Sequence, residues 1–71
     1  MNSLENHTLF ILTRNRSQWI EYSLNFYDYF KYLGKILIAD DSDDDYFERN
    51  SRIIENFKDR LKIKHIRGEG R

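Results

Sequence analysis

Two short apolar runs stand out along the chain: TLFILT, Thr8 to Thr13, and KILIAD, Lys35 to Asp40. Neither alternates apolar with polar residues, which is the pattern of strands covered on both faces, as in parallel sheets. Between them the spacing changes. Ile20, Leu24 and Tyr27 recur at helical intervals and Phe26, Phe30 and Leu33 widen the stripe, predicting a helix from Ser17 to Leu33. Ser17 is the expected N-cap. Gly34 is the expected left-handed residue beyond the C-terminus, where Lys31 and Lys35 flank the negative end of the helix dipole. Strand, helix and strand in about 30 residues make a βαβ unit, whose crossover is nearly always right-handed.

A second helix is predicted from about Asp45 to Arg60, since Phe47, Asn50, Ile54, Phe57 and Leu61 recur at helical spacing with Ile53 beside them. LKIKHI, Leu61 to Ile66, then alternates apolar with polar residues, as a half-exposed edge strand does. The fold class is therefore α/β: a partial doubly wound, Rossmann-like parallel sheet in the order β-α-β-α-β, with strands arranged 3-2-1. Three strands and two helices are half of such a domain, and a chain of 71 residues rarely buries enough core alone. The expectation is a single unit over residues 1–71, a fragment of a larger domain. The outer edge of the first strand, Leu9 to Leu12, is then uncovered, so self-association through that edge is expected.

Composition narrows the classes. Lys and Arg number 12 and Asp and Glu 12, so zero net charge gives no general attraction to nucleic acid or to an acidic membrane surface. The absence of cysteine excludes a disulfide framework, a thiolate nucleophile and a zinc–thiolate site. No apolar segment approaches the ~20 residues that span a bilayer. The start, MNSLENHTLF, lacks a basic stretch leading into a long apolar run, so no secretion signal is read there and a cytoplasmic location is expected.

The distribution of charge says more than its total. Asp40 to Glu48 holds six acids and no base. Asp43, Asp44 and Asp45 fit the first turn of the second helix, where acids meet the positive dipole end. A calcium loop fails, because Tyr46 stands where the turn glycine is required and Arg52 where the bidentate Glu is required. KILIADDS is also similar to the first strand and acidic pocket of two-component receiver domains. Here, however, a full strand and helix precede it and no later strand supplies a phosphoacceptor; a receiver-like signalling or interaction module is the alternative reading. His7 and His65 have no second ligand at useful spacing and read as structural or surface residues. Trp19 and the aromatics from Tyr22 to Tyr32 read as helix packing. Lys62, Lys64, Arg67 and Arg71 read as a solvated face.

Asp40 and Asp41 sit differently. Ligands of open α/β sheets bind beyond the carboxyl ends of the strands. The first strand ends in TRNR, Thr13 to Arg16, and the second in DDS, Asp40 to Ser42. Parallel neighbours bring these loops together, placing hydroxyl, amide and guanidinium groups beside carboxylates. Carboxylates accept from a base imide or ribose hydroxyls and Arg suits phosphate, a combination that describes a nucleotide site.

LFILTRNRSQWIEYSL followed by GKILIADDS resembles the N-terminal part of GT-A-fold glycosyltransferases of the family 2 type, whose first strand runs into a T-x-N-R-like loop and whose second ends in D-D-x-S. The likeness spans about residues 8 to 67. It implies that Thr13 and Arg14 line the nucleotide pocket, that Asp41 contacts a uracil-like base or its ribose, and that Asp40 supports the same loop. Asn15 and Arg16 would fix the turn and the helix start, with Ser42 a turn or cap residue. The implied partner is a nucleotide-diphospho-sugar, of the UDP type. The resemblance also implies Mn²⁺ or Mg²⁺ for the whole family domain, held by a D-x-D segment after a later strand, with the catalytic base further on. Neither segment occurs here. DSDDD contains a D-x-D string ahead of the second helix, the wrong element, so no metal ligand and no catalytic residue is assigned within the chain.

Overall fold

The computed structural model describes residues 7–68. Five elements follow one another: β1 (Thr8–Thr13), α1 (Ser17–Tyr29), β2 (Lys35–Asp40), α2 (Asp44–Glu55) and β3 (Lys62–Arg67). The strands form one parallel sheet in the order β1-β2-β3, with Thr13 level with Asp40 and Asp40 level with Arg67. The α/β class, the parallel pairing and the central place of the second strand are as the apolar runs predict.

Covering of the sheet is not. Sequential strand order with crossovers of one hand sends both helices to the same side. Ile11, Ile36 and Ile38 accordingly form a single core with Ile20 and Leu24 of α1, with Ile54 of α2, and with Phe57 and Leu61 beyond it. The opposite face carries Phe10 and Leu12, which are 57% and 72% exposed. β1 therefore alternates in and out, although its sequence does not. An apolar run can be apolar on a face that these two helices leave uncovered.

Both helices are shorter than predicted, for identifiable local reasons. Lys31, not Gly34, takes the left-handed conformation (φ 55°), and no glycine among the described residues has positive φ. The Lys31 N–H donates to the Asp28 carbonyl (3.1 Å) and the Tyr32 N–H to the Tyr27 carbonyl (2.9 Å). These are the two bonds of a Schellman stop, and Tyr27 and Tyr32, with ring centroids 5.7 Å apart, supply its usual hydrophobic contact. Phe26 and Phe30 lie on the side of α1 away from Ile20 and Leu24, and with Leu33 they face solvent instead of widening the inner stripe. Helix α2 ends at Glu55, and turns carry the chain to Leu61. At the other end of α1, Arg16 occupies the N-cap position and Ser17 is already helical. The Ser17 hydroxyl has a tertiary partner instead: it donates to Asn50 Oδ1 at 2.5 Å. Asp43 is the N-cap residue of α2, and Asp44 and Asp45 fill its first turn, as expected from the acidic run.

Candidate functional site

The carboxyl ends of the three strands gather the β1–α1 loop, the β2–α2 loop and Arg67–Gly68. Parallel pairing continues past β2: the Asp41 N–H donates to the Thr13 carbonyl at 2.9 Å, and the Gly68 N–H to the Asp40 carbonyl at 2.8 Å. Asn15 then locks the first two loops together. Its backbone N–H donates to Ser42 Oγ (2.7 Å), its side-chain amide donates to Asp43 Oδ2 (3.2 Å), and its Oδ1 accepts from the Asp43 N–H (3.0 Å). Making all three requires φ 53° at Asn15, a left-handed conformation that asparagine tolerates better than most residues. Arg67 closes the third side, donating to the Ser42 carbonyl and to Asp44 Oδ1, each at 2.6 Å.

Pleat separates the two aspartates. Asp40 points to the helix side and is 0% exposed. Its Oδ1 accepts from the Ser42 N–H (3.0 Å), and its Oδ2 accepts from Asn50 Nδ2 (2.8 Å) and meets His65 Nε2 at 2.8 Å. His65 Nδ1 in turn lies 3.2 Å from Ser51 Oγ, and its ring stacks on Phe47 with centroids 4.2 Å apart. Burial pushes the Asp40 carboxyl up, but hydrogen bonds from Ser42, Asn50 and His65 outweigh it and leave the group below its ordinary value. Asp40 thus holds the loop that carries Asp41, from beneath it.

Asp41 lines an open cleft of about 800 Å³ on the uncovered side, together with Thr13, Arg14, Arg16 and Arg67. The cleft floor is apolar, formed by Phe10, Leu12, Ala39 and Ile66 of the bare sheet face. Thr13 is buried, and its Oγ1 is the buried side-chain polar atom that lacks a hydrogen-bond partner among the described residues; such a group calls for an explanation. Of the four residues proposed from sequence, Thr13, Arg14 and Asp41 border one cleft, while the Asp40 carboxylate and, level with it, the Thr13 hydroxyl turn into the fold.

The remaining aspartates disperse. Asp43 is engaged by Asn15, Asp44 by Arg67, and Asp45 accepts from the Tyr46 N–H. Among the described residues no three His, Cys, Asp or Glu side chains converge as a metal site. The aspartates of the second-helix turn are thus taken up by contacts within the fold.

Asn50, His65 and Arg67 were not singled out as site residues by sequence, yet they organise the site. A signal for Asn50 was present: it is the one polar residue on the apolar stripe of α2, and a buried amide requires a polar partner. His65 likewise occupies an inward position of an alternating strand. The protein-family models, the curated proteins and the solved structures give no match to this chain.

Proposed function

We propose that the chain is the nucleotide-binding part of a GT-A-fold glycosyltransferase of the family 2 type, working in the cytoplasm on a nucleotide-diphospho-sugar of the UDP kind. The observation that carries this reading is the meeting of Thr13, Arg14 and Asp41 in one cleft beyond the carboxyl ends of adjacent parallel strands. The charged groups and the floor of this cleft supply what a nucleoside diphosphate needs. The Asp41 carboxylate accepts from the imide of a base or from ribose hydroxyls, the guanidiniums take phosphate oxygens, and the apolar floor takes the face of the base. The Thr13 hydroxyl is buried on the helix side of β1, level with Asp40, so Thr13 borders the cleft without presenting that hydroxyl to it.

Binding is the whole of the activity proposed for these residues. Sugar transfer needs stabilisation of a leaving diphosphate and a base to activate the acceptor, and the resemblance assigns the second task to a segment other than these two loops. On this reading the uncovered β1 edge pairs with a further strand of a longer domain. Calorimetric titration with uridine diphosphate, with and without Mn²⁺, tests the proposal, alongside an assay for nucleotide release from a UDP-sugar. The expected result is weak binding, Kd on the order of 1 mM, little changed by Mn²⁺ and reduced in Asp41→Ala, with no release. Metal-dependent turnover, or equal binding by Asp41→Ala, would overturn it.

A further inference from the structure

Helix α1 has two apolar faces, and the fold uses one. Ile20, Leu24 and Tyr27 pack on the sheet, while Trp19, Tyr22, Phe26, Tyr29 and Phe30 lie between 41% and 79% exposed. At 100° per residue these five fall within about 100° of arc, two turns and more of one continuous stripe. The rings touch one another: Phe26 and Phe30 are 4.8 Å apart between centroids, and Tyr29 and Phe30 5.0 Å. Tyr22, Phe26 and Tyr29 also line a shallow groove of about 460 Å³, with Asn25 and Asp28 at its margin.

We infer that this face binds a second copy of the same chain, helix α1 against helix α1, antiparallel about a twofold axis near Phe26. Three features select this occupant. The first is self-complementarity, which a twofold interface demands of one surface. The groove between Tyr22 and Tyr29 lies beside the projecting Phe30 ring, so each copy offers both a recess and a ring to fill it. The second is charge. The residues flanking the middle of the stripe are Gln18, Ser23 and Asn25, all neutral, Asp28 at the groove is neutralised by Arg60 at 2.9 Å, and the cations Arg16 and Arg49 gather at the Trp19 end, which an antiparallel pair keeps apart. Two copies meet without like-charge repulsion, and antiparallel helix dipoles attract. The third is size. At roughly 250 Å² for a whole aromatic side chain, the exposed fractions leave on the order of 700 Å² of aromatic surface. One partner of a standard interface buries ~800 Å², and aromatic rings are the residues that carry binding energy at its centre.

This surface lies on the helix side, away from the nucleotide cleft, and it is independent of the nucleotide reading. Sedimentation equilibrium on the full chain tests it. A dimer is expected, with association weakened by roughly tenfold or more in Phe26→Glu, an exposed helical position that accepts Glu without loss of core. Leu12→Lys, on the bare sheet face, should leave the dimer unchanged. Because the chain has no cysteine, Asn25→Cys gives a second readout that retains every ring: mild oxidation should join two copies through this position, and Leu12→Cys should not join. A monomer at every concentration, a dimer weakened by Leu12→Lys but not by Phe26→Glu, or cross-linking through Leu12→Cys alone would overturn the assignment.

Discussion

The two sides of the sheet's carboxyl edge are built from neighbouring residues and have opposite characters. On the helix side Asp40, Asn50, His65 and Ser42 form a dry network in which both carboxylate oxygens are engaged. On the other side, Asp41 borders an open cleft with arginines around it and an apolar floor beneath. The same residue type, one position apart, is buried and hydrogen-bonded on one side and cleft-facing on the other. The alternation of a strand produces this division, because successive side chains leave opposite faces. A paired-acid motif at a strand end therefore need not act as a pair.

Breaking the network should cost most. Asp40→Ala leaves Asn50 and His65 without their acceptor inside the fold, and about 3 kcal/mol of stability should be lost, measured by urea denaturation. Asp41→Ala, at the border of an open cleft, should cost less than Asp40→Ala. Equal losses from the two would erase the distinction between the sides. Next comes Asn50→Leu, which fits the apolar stripe of α2 but removes a donor from Asp40 and the acceptor of Ser17; a loss of about 2 kcal/mol is expected.

Acid should reveal the same asymmetry. The Asp40 carboxyl is held below its ordinary value in the folded state, so the unfolded chain binds the proton more readily. The stability it contributes is present above the unfolded carboxyl value near pH ~4, and it disappears as pH falls through the lower folded value. Denaturation midpoints followed below pH ~4 should drop less steeply in Asp40→Asn than in the parent, and a parallel drop would count against the network.

Much of this architecture was legible from sequence. The positions and parallel pairing of β1 and β2 followed from apolar runs, and the first-turn role of Asp43 to Asp45 followed from helix electrostatics. The meeting of TRNR with DDS followed from parallel adjacency. Three things were not legible, each for a physical reason. The face of each strand that the helices cover depends on topology, so Leu12 and Ile11 look alike in sequence. The end of α1 depends on Tyr27 meeting Tyr32, a contact strong enough to place Lys31 rather than a glycine in the left-handed conformation. The partners of Asp40 arrive from 10 and 25 residues away, beyond the reach of local pattern.

The smallest effect belongs to the bare face. Leu12→Lys should leave stability within about 0.5 kcal/mol while raising the solubility limit, because it places a charge on an exposed apolar strand. A large loss of stability in that variant would mean that the face is covered.

The division between Asp40 and Asp41 is tested most directly by an amide-resolved NMR titration with uridine diphosphate. The account predicts shifts concentrated at Thr13, Arg14, Asp41 and Ser42, strongly reduced in Asp41→Ala, with the amides of Asn50 and Ser51 little moved. Shifts absent from the two loops, or undiminished in Asp41→Ala, would contradict it.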